Sequence, residues 1–115
     1  MGLLEISVAA GESGPVLVLS GEADMTSAAE LSDALAAQLS SGAQHLTADV
    51  SALRFADSAS IRALVLTARA LKERGGNLVL VYPQPPVARV LSLTGADQML
   101  TIRLEADAEA EPEGA

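Results

Sequence analysis

The sequence predicts an α/β fold: a mainly parallel mixed sheet with crossover helices, its elements in the order ββαβαβαβ. Three observations carry this expectation. Short apolar runs of strand length around residues 16–19, 46–50 and 78–81 alternate with longer segments whose apolar residues recur every three or four positions. Gly21, Gly42, the Gly75-Gly76 pair and Pro83 punctuate the boundaries between them. From the second strand onward, strict strand and helix alternation calls for right-handed crossovers and therefore parallel neighbours.

Residues 3–8 alternate Leu4, Ile6 and Val8 with Glu5 and Ser7, the pattern of an edge strand with one wet face. Gly11, Gly14 and Pro15 mark a turn, and so short a connection predicts an antiparallel partner. That partner is Val16, Leu17, Val18 and Leu19, a continuous apolar run read as a strand covered on both faces. It ends in Gly21-Glu22-Ala23-Asp24-Met25. Ser27 and Glu30 then fit a capping box opening a helix whose inner face is Leu31, Leu35 and Leu39, stopped by Gly42.

Residues 45–50 set Leu46, Ala48 and Val50 against Thr47 and Asp49, again with strand period. A turn is expected over residues 51–57, pinned to the core by Leu53 and Phe55. Asp57 closes it as the N-cap of the second helix, whose buried face is Ile61, Leu64, Val65, Ala68 and Leu71. Arg62, Arg69, Lys72 and Glu73 fall on its outer side. After Gly75-Gly76 the run Leu78, Val79, Leu80, Val81 reads as a fully buried strand closed by Pro83. Pro85-Pro86 can open a short third helix with Val87, Val90 and Leu91 inward and Gly95 past its end. Residues 99–104 make a last, weaker strand. The expected domain is residues 1–104, and residues 105–115, rich in Ala and acid, are too polar to bury much and are expected to be a disordered tail.

At 115 residues there is room for one moderate core, and because only Phe55 and Tyr82 are aromatic it must be built from Leu, Val, Ile and Ala. The net charge is −8, with Glu105, Asp107, Glu109, Glu111 and Glu113 all following the last basic residue, Arg103. An acidic chain so poor in aromatic rings lacks what nucleic acid requires, namely cationic grooves and stacking platforms. No apolar run is long enough to cross a bilayer and no signal-like start is visible, so the expected setting is cytoplasmic, without a membrane partner. The absence of cysteine removes thiol nucleophiles and cysteine-bound zinc.

No phosphate-cradling GxxxxGK or GxGxxG motif occurs, and His45, the single histidine, opens a strand far from other ligand types. Neither a resident metal nor a cofactor is expected. Nucleophilic catalysis by Ser58 would need a base within hydrogen-bond reach, which His45 at the opposite end of a strand does not provide, so the chain does not read as an enzyme. What remains is a cluster: Glu22 and Asp24 follow the second strand, Asp57 and Ser58 the third. If those strands are parallel neighbours, all four gather at the carboxyl end of the sheet, where α/β folds place ligands and recognition surfaces. Spacing alone favours the plainer reading, solvated turn residues and a helix cap.

Four segments in order change that balance. Gly21-Glu22-Ala23-Asp24, then Asp49-Val50-Ser51, then Phe55-Ala56-Asp57-Ser58-Ala59-Ser60-Ile61, then Gly75-Gly76-Asn77-Leu78 resemble the STAS-domain anti-sigma-factor antagonists, as does Pro86-Val87-Ala88-Arg89-Val90-Leu91 with Thr94-Gly95. The likeness runs from the first strand to about Ile102. It implies a non-enzymatic partner switch that binds a serine-kinase anti-sigma factor and so frees the sigma factor. Phosphorylation by that kinase releases the complex, and a PP2C-type phosphatase resets it. By position the phosphate acceptor is Ser58, with Glu22, Asp24, Asp57, Ala59, Ser60, Arg62 and Arg69 expected on the partner surface. Where the family turn carries Ser or Thr and then Gly after the acceptor, this chain has Ala59 and Ser60. Two alternatives are a STAS subunit of a sensory or transport assembly that is never phosphorylated, and a nucleotide-binding regulatory domain using Asp24 and the start of the second helix.

Overall fold

The computed structural model describes residues 3–103, and the expected acidic tail lies outside them. The elements are β1 (Leu4–Ala10), β2 (Pro15–Ala23), α1 (Ala28–Ser40), β3 (His45–Ala56), α2 (Ser58–Glu73), β4 (Asn77–Val81), α3 (Pro85–Thr94), a single 3-10 turn (Ala96–Gln98) and β5 (Thr101–Arg103). The strands stand in the sheet in chain order, β1 antiparallel to β2 and the other neighbours parallel. This is the expected α/β mixed sheet.

That monotonic order decides where the core sits. With crossovers of one hand, a sheet that grows steadily in one direction keeps all its connecting helices on the same face. Leu17, Leu19, Leu46, Ala48, Val50, Leu78 and Leu80 point to that face and pack in one cluster with Leu31, Leu35, Ile61, Leu64, Leu71, Val87 and Leu91 of the helices. The alternate residues Val16, Val18, Thr47, Asp49 and Val79 are only half-buried. The expectation that the run at 16–19 is covered on both faces is therefore corrected, whereas in the run at 78–81 only Val79 departs from it and Val81 is buried. Val16, Val18 and Val79 on the second face reflect what suits a pleated surface, not full burial.

β3 also runs further than residue 50. Residues 51–56, expected as a turn, continue the strand to Ala56, with irregularities against β2 at Val18/Ser20 and Gly21/Glu22. The irregular pairing turns Leu53 inward but leaves Phe55 43% exposed, so Phe55 is not a core pin. Gly21 is required here: its φ is +97°, and a Cβ at that position would run into the Leu3 carbonyl oxygen.

Candidate recognition site at the carboxyl end of the sheet

β2 and β3 end level with each other, Glu22 opposite Phe55 and Ala23 opposite Ala56. Asp24 and Asp57 consequently leave the sheet side by side, and the Asp57 N–H donates to the Ala23 carbonyl at 3.0 Å, tying the start of α2 to the end of β2. Asp57 is extended (φ −86°, ψ 177°) and its Oδ1 accepts the Ser60 N–H at 2.9 Å. That is the N-cap expected from the sequence, and it starts α2 at Ser58 with the positive end of the helix dipole beneath it.

The two serines of this first turn have opposite fates. Ser58 is exposed, whereas Ser60 is 0% exposed on the same face as Ile61 and Leu64, and its Oγ has no hydrogen-bond partner. An unpartnered buried hydroxyl costs about 1–3 kcal/mol. Val65, expected in the core, is half-buried instead, because its angular position falls between the buried stripe and the solvent side.

The neighbouring connection is closed on itself. Asp24 Oδ1 accepts both the Thr26 N–H (2.9 Å) and the Thr26 hydroxyl (2.6 Å). The Thr26 hydroxyl is the main reason the Asp24 carboxyl titrates below its ordinary value. The expected Ser27–Glu30 capping box does not form. Ser27 has φ −115° and ψ 2°, which is not the extended geometry that carries a side chain to the helix N–H groups, and its hydroxyl instead takes the Asp24 N–H (3.1 Å) and donates to the Asp24 carbonyl (3.2 Å). Glu22 pairs with Arg54 at 3.5 Å, an exposed contact of small energetic weight that the sequence did not single out.

Between the first turns of α2 and the connection from α3 to β5 runs a groove of about 380 Å³, lined by Ser58, Ala59, Ile61, Arg62, Val65, Thr94, Ala96 and Met99. Of the sequence-nominated residues it brings together Ser58, Ala59 and Arg62. Ser60 lies out of reach in the core, Glu22 and Asp24 belong to the adjoining end of β2, and exposed Arg69 lies two helical turns further along α2, outside the lining. Sequence reasoning missed Thr94, Ala96 and Met99, along with the exposure of Met25 (80%) and Leu93 (76%). Among the described residues no group of three or more His, Cys, Asp or Glu could hold a metal ion. A cavity of about 520 Å³ at the opposite ends of β3 and β4 includes His45, which is exposed and hydrogen-bonded to Asn77 Oδ1 at 3.0 Å.

Residues 6–102 match the family described as Mlab, STAS domain. The chain belongs to the STAS domain family. Among its relatives is BtrV of Bordetella bronchiseptica, assigned as an anti-sigma factor antagonist, 31% identical over 80 residues that cover 70% of this chain and 69% of BtrV. An anti-sigma factor antagonist from Mycobacterium paratuberculosis superposes with a TM-score of 0.83 at 26% identity, over 96% of this chain and 93% of that one. SpoIIAA of Bacillus in its phosphorylated form shares the fold at TM-score 0.67 and 19% identity, over 96% of this chain and 100% of that one. The first turn of α2 in this STAS domain therefore carries one exposed hydroxyl, on Ser58, and one buried, unpartnered hydroxyl, on Ser60.

Proposed function

We propose that this STAS domain is an anti-sigma-factor antagonist that binds a serine-kinase anti-sigma factor through the carboxyl end of its sheet and is released when Ser58 is phosphorylated. The observation that carries the reading is the contrast within one helical turn: Ser58 is exposed beside a groove, and Ser60 is fully buried. Support also comes from the anti-sigma factor antagonists among its relatives. The kinase transfers the γ-phosphoryl group of ATP to Ser58 Oγ. The new O–P bond forms as the γ-phosphorus separates from its bridging oxygen, the hydroxyl proton is removed, and ADP leaves.

Phosphate adds about −1.5 to −2 charges at neutral pH, and the free N–H groups of the α2 terminus stabilise negative charge there, so the fold tolerates it. The complex does not. A partner packed on a neutral Ser58 meets new charge and bulk beside Asp57, which loosens binding. A PP2C-type phosphatase restores the hydroxyl. The antagonist itself supplies no catalytic group. Its proposed place of action is the cytoplasm; no helix among the described residues is long and apolar enough to cross a membrane.

The test is mass spectrometry of the full chain, Ser58→Ala and Ser60→Ala after incubation with the anti-sigma kinase and ATP. Phosphate is expected on wild type and Ser60→Ala, and absent from Ser58→Ala. Phosphate on Ser60, or retained in Ser58→Ala, overturns the assignment. No phosphate on any of the three favours an unphosphorylated STAS subunit of a larger assembly.

A further inference from the structure

We infer that Arg62 is the internal receptor for the phosphate on Ser58, and that the resulting pair forms along the α2 wall of the groove that faces the α3–β5 connection. The inference rests on Ser58 as the modified residue and adds how the modified state is held. Ser58 and Arg62 lie four residues apart on α2, both are exposed, and both line the same groove of about 380 Å³. Residues at this spacing are neighbours on a helix surface, and helical side chains lean toward the N-terminus, so the Arg62 stem is directed back over the turn that carries Ser58. An anion placed N-terminal to a cation at this spacing is the favourable orientation.

The Arg62 guanidinium is uncommitted. It makes no hydrogen bond or ion pair among the described residues, unlike Arg54, which pairs with Glu22, and Arg74, which donates to the Leu39 and Ala43 carbonyls. The carboxylates of the two neighbouring connections accept local hydrogen bonds, Asp57 from the Ser60 N–H and Asp24 from Thr26, and neither is paired with Arg62. On the facing wall Thr94, Ala96 and Met99 carry no charge, and Asp97 of the same turn lines a different recess. A phosphate on Ser58 therefore meets one unengaged planar cation able to grip two of its oxygens. Both residues line the groove, so the pair forms along its α2 wall. Phosphorylation then both adds charge and fixes the Arg62 side chain beside the recess.

The experiment builds phosphoserine into position 58 of the full chain during synthesis, so that no kinase is needed, and compares it with the unmodified chain in the wild-type and Arg62→Gln backgrounds. In wild type the Arg62 Nε–H NMR signal is expected to move downfield and exchange more slowly on phosphorylation. The melting temperature should rise by about 2 °C more than in Arg62→Gln. An unmoved Arg62 signal, or the same melting shift in both backgrounds, overturns the inference. Because the phosphate is installed chemically, that failure says nothing about which serine the kinase chooses, and the mass spectrometry above decides the latter independently.

Discussion

Two connections leave the carboxyl end of the sheet side by side, and both spell Asp-x-x-Ser: Asp24 to Ser27 and Asp57 to Ser60. They fold differently. In the first, Thr26 offers both its N–H and its hydroxyl to Asp24, which captures the carboxylate in a turn and delays the helix to Ala28. In the second, Ala59 has no hydroxyl to offer, so Asp57 reaches on to the Ser60 N–H and the helix starts immediately at Ser58. The two turns differ in whether the second residue after the aspartate brings a hydroxyl that competes for the carboxylate. The outcome sets the chemistry, because only the second arrangement puts an exposed hydroxyl on the first turn of a helix.

The largest expected effect removes the ground under the second connection. Leu64 is 1% exposed on the inner face of α2, and Leu64→Ala should cost about 2–5 kcal/mol in urea denaturation. An effect near zero would show that α2 is not held by that face. Next, Asp57→Ala should cost about 0.5–2 kcal/mol through loss of the cap, and Asp24→Ala clearly less, since its bonds are exposed and local. Equal losses would erase the distinction between the two aspartates.

The serines sharpen the comparison further. Ser60→Ala should stabilise the domain by about 1 kcal/mol by removing an unpartnered buried hydroxyl, whereas Ser27→Ala should destabilise it by about 1 kcal/mol, because that hydroxyl is buried and engaged. Thermal melts of the two variants should therefore move in opposite directions. The smallest effect is electrostatic. The Asp24 carboxyl titrates below its ordinary value of 3.8, so its contribution is complete above that value and fades as pH falls through the lower folded value. In an NMR titration Thr26→Val should bring Asp24 back toward 3.8, while Ala59→Thr, by offering Asp57 a competing hydroxyl, should weaken the bond to Ser60 N–H and fray the start of α2.

What was legible in the sequence was local. Asp57 as a cap, Ser58 on the first turn and Ser60 near the rising core face all follow from helical spacing, and the mainly parallel sheet follows from alternation and handedness, but not the order of strands within it. The errors share a cause. Runs such as Val16 to Leu19 do not say how many layers cover a strand, since that depends on which side the crossovers take. Phe55 looked like a core residue until irregular pairing with β2 turned it outward. Ser27 and Glu30 have capping-box spacing, but a tertiary loop claims the Ser27 hydroxyl first. The groove was invisible for a different reason. Its far wall is drawn from residues more than thirty positions after Ser58, and only packing brings Met99 to α2.

The sheet's monotonic strand order has a consequence for how the chain is made. Each strand pairs with the one synthesised just before it, so every new unit can add to an edge that already exists and no strand must insert between two others. Assembly from the ribosome can be vectorial. The β1–β2 hairpin comes first, and the Asp24 and Asp57 connections are complete once α2 has docked. The wall bearing Thr94, Ala96 and Met99 arrives last, with the short strand β5 close behind it. A nascent chain therefore shows a partner the serine before it shows the groove, and the whole recognition surface is presented only by a finished domain.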